Sequence, residues 1–148
     1  MITGKFLTSN DDITVALAMR SEVFPGGGRD ERDAMAIYAV TFSEAGEPGS
    51  AGRLYMDDDN VIAIDCVGTV ERLRGQGLGD LVMRMLLYRV LEMNLARVKL
   101  SCAPGLAPFF MRYGFRKTAQ AGESLIEMQA ENAEINIEGT CKHCAEAR

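Results

Sequence analysis

The chain has 148 residues, 47% of them hydrophobic, with four cysteines and a formal net charge of −5. That size fits one domain around one core, and the acidic balance excludes a nucleic-acid binder that works by displacing phosphate counterions, which needs a basic surface. No apolar run reaches the roughly 18–20 residues that span a bilayer, and Met1-Ile2-Thr3-Gly4-Lys5 opens no secretory signal, so the expectation is a cytoplasmic protein with no membrane partner.

In chain order, Asp11 or Asp12 can cap a helix through Ile13–Arg20, and Pro25 with Gly26, Gly27 and Gly28 ends it. Ala36–Phe42 is rich in strand formers, residues 44–50 read as a turn, and Ala51–Met56 can return as a second strand. Another turn at Asp57-Asp58-Asp59-Asn60 leads to Val61–Val70, apolar on both faces and therefore suited to a central, covered position. Leu78–Asn94 reads as a helix with a wide apolar face, and Arg97–Cys102 as the next strand. The two strands and the helix between them make one β-α-β unit, whose strands run parallel. A short helix at Ala107–Tyr113, a strand from Phe115 and another at Ser124–Gln129 complete a mixed sheet.

The turn inside that unit is the most informative stretch. Val70–Gly79 brings Gly75, Gly77 and Gly79 to the start of a helix. A helix start carries N–H groups without intrahelical partners and the positive end of the dipole, and glycine lets phosphate oxygens approach the main chain. The spacing is neither a Walker A loop nor the Gly-x-Gly-x-x-Gly dinucleotide fingerprint. Charge is also uneven: residues 1–70 carry 5 Lys/Arg against 12 Asp/Glu, while residues 71–118 carry 9 against 3. The basic segment contains the anion cradle. The acidic half reads either as a solvated surface or as a field that attracts a cationic substrate.

Ile64-Asp65-Cys66-Val67-Gly68-Thr69-Val70, followed by Arg74-Gly75-Gln76-Gly77-Leu78-Gly79, resembles the acyl-CoA-binding segment of the GNAT acyltransferase superfamily, whose signature is Gln/Arg-x-x-Gly-x-Gly/Ala after a strand. Phe109-Phe110-Met111-Arg112-Tyr113-Gly114-Phe115 resembles the short helix and Gly-Phe strand entry near the end of that fold. The resemblance spans roughly residues 13–129. It implies an α/β fold with a mixed central sheet and the cofactor between two splayed parallel strands. The domain would then occupy residues 1–130, with 131–148 as an appendage.

The resemblance further implies that N–H groups from Gly75 to Asp80, with Arg74, Gln76, Gly77, Leu78 and Gly79 in the same turn, hold the pyrophosphate of CoA. Pantetheine would run along Val67, Gly68 and Thr69, pairing with the strand edge as a short β-addition; without the cradle, Gly68 and Thr69 read as an ordinary bulge. Transfer to an amine would proceed by direct attack. The family's frequent thiolate-protonating tyrosine corresponds to Phe110, and its asparagine after the second parallel strand to Ala103, so two expected contacts are absent. Tyr113, three residues on, is a candidate acid, with core packing as its other reading.

Alternation puts Asp65 on the face of Val67 and Thr69. Desolvation beside apolar neighbours would make it a stronger general base; a hydrogen-bonded or edge aspartate is the alternative, and Glu127 is a weaker candidate. Arg20-x-x-Val23-Phe24, then Asp30-Glu31-Arg32-Asp33, resembles a subgroup in which such a loop borders the acceptor pocket, against the plain reading of a solvated loop.

Cys141-Lys142-His143-Cys144 is half a tetrahedral zinc site or a redox pair. Packing explains Cys66 and Cys102, and no metal is expected. The expected function is an acyl-CoA-dependent N-acyltransferase, with acetyl-CoA as donor and a small-molecule or peptide primary amine as acceptor. A non-catalytic acyl-CoA sensor or partner module is the alternative, and a redox or zinc role for the tail is the third reading. Oligomeric state stays open, a homodimer included.

Overall fold

The computed structural model describes residues 1–24, 29–120 and 124–138. Seven strands, β1 (Thr3–Thr8), β2 (Ile37–Phe42), β3 (Pro48–Met56), β4 (Ile62–Thr69), β5 (Arg97–Cys102), β6 (Arg116–Gln120) and β7 (Ile126–Glu131), form one mixed sheet. Their order is β1-β2-β3-β4-β5-β7-β6. The helices are α1 (Thr14–Val23), α2 (Leu78–Glu92) and the short α3 (Ala107–Met111). Period-2 alternation sorts the core onto two faces. Ala39, Leu54 and Ile64 point to the face covered by Val82, Leu86 and Val90 of α2, while Tyr38, Val40 and Ala51 meet Ala16 and Met19 of α1.

The elements read from sequence are all present, with shifted ends. The β2–β3 turn is tighter than expected, because Ser43 N–H bonds the Glu47 carbonyl at 2.8 Å and the strand resumes at Pro48. Asp12, not the helix cap itself, braces the start of α1 by accepting from the N–H and hydroxyl of Thr14. β1 carries no strand signal in the sequence: four of its six residues are exposed, so it lacks the apolar alternation that marks a strand, and it is held as an edge by pairing with β2. The expected appendage also starts too early. Glu131 pairs with Arg97, Asn136 N–H bonds the Tyr113 carbonyl at 2.9 Å, and Ile135 and Ile137 pack on the main core. Residues 131–138 are thus built into the domain, and Cys141 and Cys144 lie outside the described residues. Among the described residues no helix is long and apolar enough to cross a membrane.

Two features of β4 shape the centre of the sheet. The first is its parallel pairing with β5, which is limited to Ala63 opposite Lys99; beyond that point the strands part. The Lys99 ammonium bonds Asp57 at 2.6 Å and ties the closed end. The second is a bulge: Arg53 pairs with Asp65 and Ala51 with Gly68, so Cys66 and Val67 together face only Gly52. Cys66 takes the left-handed conformation, φ 54°, that absorbs the extra residue.

The bulge overturns the expected alternation. Asp65 stays on the α1 face with Arg53, whereas Val67 and Thr69 are carried to the α2 face. A side chain on Gly52 would meet Val67 and Val82, and one on Gly79 would meet the Thr69 hydroxyl at 3.0 Å. Gly68 is left facing α1, where a Cβ would lie 2.4 Å from Val23 Cγ1; only glycine lets the helix and strand approach this closely.

Candidate active site

The parting of β4 and β5 opens a cleft on the α2 face with a volume of about 510 Å³. Val67, Gly68 and Thr69 form one wall, the turn from Arg74 to Asp80 forms the floor, and Leu106, Phe109, Phe110 and Arg112 close the other side. Gly77 caps α2 at φ 85°, and Gly75 sits at φ 82°, both in the left-handed region that costs an L side chain about 1–2 kcal/mol. Nothing lies within 4 Å of a Cβ built on Gly75, so this turn is open toward the cleft rather than filled by packing.

The first hydrogen bond of α2 runs from Leu81 N–H to the Gly77 carbonyl at 3.0 Å, and the N–H groups ahead of it belong to the open end of the helix. The turn is anchored from behind. The Thr41 hydroxyl donates to the Leu78 carbonyl (3.0 Å), Thr69 donates to Ser50 Oγ (3.1 Å), and Arg74 Nε donates to the Thr69 carbonyl (3.3 Å).

Of the ten positions expected to hold the cofactor, nine line this cleft; Gln76 is exposed outside its wall. The sequence motifs do not single out Arg112. It stacks on Phe109, 4.7 Å from the ring centroid, and with Arg74 gives the cleft a cation on either side. Its only sequence signal was the basic bias of residues 71–118.

Behind the cleft, on the α1 side of the parting strands, lies a second chamber of about 300 Å³ lined by Asp65, Cys66, Ser101 and apolar side chains. Val67, Leu106 and Phe110 belong to the walls of both cavities, so the two spaces meet there. Phe110 is 7% exposed and brings no hydroxyl to this junction. Tyr113 does not substitute for one. It is fully buried, edge-on to Phe109 at 5.5 Å, and its hydroxyl donates to Asp80, which also pairs with Arg84. Burial, reinforced by the bond to Asp80, pushes its pKa far above that of an ordinary tyrosine. The geometry makes Tyr113 a brace for the first turn of α2.

Asp65 does reach the chamber, but its surroundings differ from those expected. In place of apolar neighbours alone, Arg53 grips both of its oxygens, Nε to Oδ1 at 2.8 Å and a terminal nitrogen to Oδ2 at 2.7 Å. Arg53 is itself 2% exposed and also bonds Asp30 (2.6 Å) and Asp33 (3.0 Å). Asp33 takes Arg20 at 2.6 Å and the hydroxyl of Tyr38. The acidic loop, for which the sequence leaves open a pocket border or a solvated loop, is partly an internal counter-charge, and Asp30 caps its 3-10 turn (Glu31–Met35) with a reciprocal Asp33 bond. A lone arginine at the centre of an apolar strand was the signal that could have exposed this, since a buried guanidinium demands carboxylates.

Burial alone would raise Asp33, yet hydrogen bonds from Arg20 and Tyr38 and the Arg20 charge outweigh it and hold the carboxyl well below the usual range. Burial and the bond to Asp33 push Tyr38 up to about 12, and burial, with the nearby Asp65 charge, pushes the Cys66 thiol up to about 11. Cys102 is raised by burial as well. Both thiols are therefore neutral at neutral pH and poor nucleophiles.

The acetyltransferase (GNAT) family model matches residues 16–115. The chain belongs to this family. Among solved structures, an acyl-CoA N-acyltransferase from Pseudomonas aeruginosa is 23% identical, with a TM-score of 0.76, over 88% of this chain and 99% of that one. Escherichia coli ElaA is 21% identical with a TM-score of 0.77, over 88% and 100% of the two chains. A GNAT family acetyltransferase from Elizabethkingia anophelis with acetyl-CoA bound is 16% identical with a TM-score of 0.69, over 88% and 97%. At these identities the likeness is one of fold. Within the GNAT fold the parted strands, the glycine turn and the short α3 occupy the order expected from the sequence.

The ion network has a measurable consequence. Removing Asp33 leaves Arg20 and Arg53 buried without a shared counter-charge, so Asp33→Ala loses about 3–5 kcal/mol in urea unfolding. For wild type, the Asp33 contribution is present above its unfolded value of 3.8 and is lost as pH falls below it. The Tyr38 contribution is present below pH 10 and is lost as pH rises through 10 to about 12. Stability measured against pH should therefore form a plateau between these limits, and Asp33→Ala should flatten the acid limb.

Proposed function

We propose that this protein transfers an acetyl group from acetyl-CoA to a primary amine by direct attack. The observation that carries the reading is the junction of two cavities at Val67 and Phe110: one cavity floored by a glycine-rich helix start with flanking cations, the other carrying a carboxylate. The N–H groups from Gly75 to Asp80, with Arg74 and Arg112, suit a pyrophosphate, and the edge of β4 at Val67–Thr69 that has parted from β5 suits the amides of pantetheine. The left-handed glycines and the empty space at Gly75 fit such a ligand. When bound, acetyl-CoA supplies an activated thioester carbonyl.

The chain's own residues then have limited tasks. The acceptor arrives as an ammonium and must lose a proton before its nitrogen bonds the carbonyl carbon. A carboxylate offers about four lone-pair sites, so Asp65 can take that proton while Arg53 keeps its grip. The carbon–sulfur bond breaks, one proton ends on the sulfur and one goes to solvent, leaving an amide and free CoA. No covalent acyl-enzyme is involved, in keeping with the two raised thiols.

The second reading, an acyl-CoA sensor without turnover, is favoured by Phe110 and Ala103, which bring no hydroxyl or amide to the junction. Calorimetry with acetyl-CoA and a thiol-release assay over an amine panel separate the two readings: release with any amine supports transfer, and tight binding without release supports a sensor. Gly77→Val should stay folded after losing about 1–2 kcal/mol to backbone strain and should bind acetyl-CoA at least about tenfold more weakly, a tenfold change being 1.4 kcal/mol. Tyr113→Phe should lose stability and keep turnover within about tenfold of wild type; a fall of about 10²–10⁴ would instead make its hydroxyl the general acid.

A further inference from the structure

The chamber on the α1 side holds more information than the presence of a carboxylate. Among the described residues of its lining, Asp65 is the one carboxylate and none is basic. Ser101 and the thiols of Cys66 and Cys102 are its other polar groups, and both thiols are neutral at neutral pH. The remainder is hydrocarbon. Three large apolar side chains that a soluble domain would normally bury, Phe24 (39%), Leu106 (53%) and Leu125 (42%), are left exposed on its walls.

The nearby arginines cannot serve an anionic substrate. Arg53 is 2% exposed and committed to Asp30, Asp33 and Asp65, and Arg20 is bound to Asp33 behind it. A substrate carboxylate entering this space would be desolvated against hydrocarbon and one like charge, with no partner among the described residues. A single ammonium would find Asp65, and an attached ring or alkyl chain would find the apolar wall.

We infer that the acceptor is a small monoamine on an aromatic or aliphatic body, with no carboxylate beside the amine. This rests on the transfer reading above and narrows it. Free amino acids lack a site for their carboxylate. A polyamine would carry extra ammonium groups into a space with one counter-charge among its described lining residues. Ser101, exposed on β5, marks where a basic side chain would have to stand to change this.

The test measures initial rates of thiol release from acetyl-CoA with the full chain, using phenethylamine, phenylalanine, spermidine and an alanyl peptide as acceptors. Wild type should favour phenethylamine over phenylalanine by at least about tenfold in kcat/KM, since a polar group without a partner is rejected strongly. Ser101→Arg, which offers the missing cation, should lower that ratio by about tenfold or more; an unchanged ratio in a folded Ser101→Arg protein would overturn the assignment of this chamber to the acceptor. Equal or better rates with phenylalanine, spermidine or the peptide would overturn the inference while leaving transfer intact. No release with any acceptor, despite measured acetyl-CoA binding, would overturn both.

Discussion

The structure depends on one constraint: β4 must pair with β3 along its length while leaving β5 after a single residue pair. A parallel pair that separates exposes backbone donors and acceptors in the middle of a sheet, where they are costly unless something bonds them. The bulge at Cys66 is how the strand meets this constraint. It adds a residue, bends the strand, and moves Val67 and Thr69 to the face of the glycine turn, while Asp65 and Gly68 stay on the α1 face. One irregularity thus sends the strand's side chains to two cavities, one floored by the glycine turn and the other carrying Asp65.

Around that strand, the charges divide the same way. The cations that matter on the α2 face, Arg74 and Arg112, are exposed and line the cleft. Those on the α1 face, Arg20 and Arg53, are buried and consumed by Asp30, Asp33 and Asp65. Such buried ion clusters add little net stability, because desolvation offsets much of the attraction, but they fix geometry, since any one member removed leaves the others uncompensated. Here the cluster joins the 3-10 turn, α1, β2, β3 and β4, and so sets where Asp65 stands.

The legible parts of the fold were those with a local signal. Leu78–Glu92 announced itself by its glycine start and wide apolar face, and Arg97–Cys102 by its length and strand formers; both lie within two residues of expectation. The glycine turn that floors the cleft was legible because left-handed backbone and absent Cβ atoms are written directly in residue type. The chamber carrying Asp65 was not legible in the same way. Nothing in Ile64–Thr69 advertises a left-handed cysteine, so strict alternation misplaced Val67 and Thr69 relative to Asp65. Tyr113 was placed near the right helix, but whether a hydroxyl points to a cavity or to Asp80 is decided by tertiary packing. Arg53 and Asp33 are twenty residues apart in sequence and 3.0 Å apart in space, a pairing that only the sheet brings about.

The central claim is that the parted strands receive acyl-CoA, and the most direct measurement is a crystal structure with acetyl-CoA or an unreactive thioether analogue. The account predicts pyrophosphate oxygens on the N–H groups between Gly75 and Asp80, pantetheine amides bonded to Val67–Thr69, and the acyl carbon at the junction of Val67 and Phe110, facing Asp65. A ligand seated with its pantetheine away from β4, or an acyl group that turns from the chamber lined by Asp65, would contradict it.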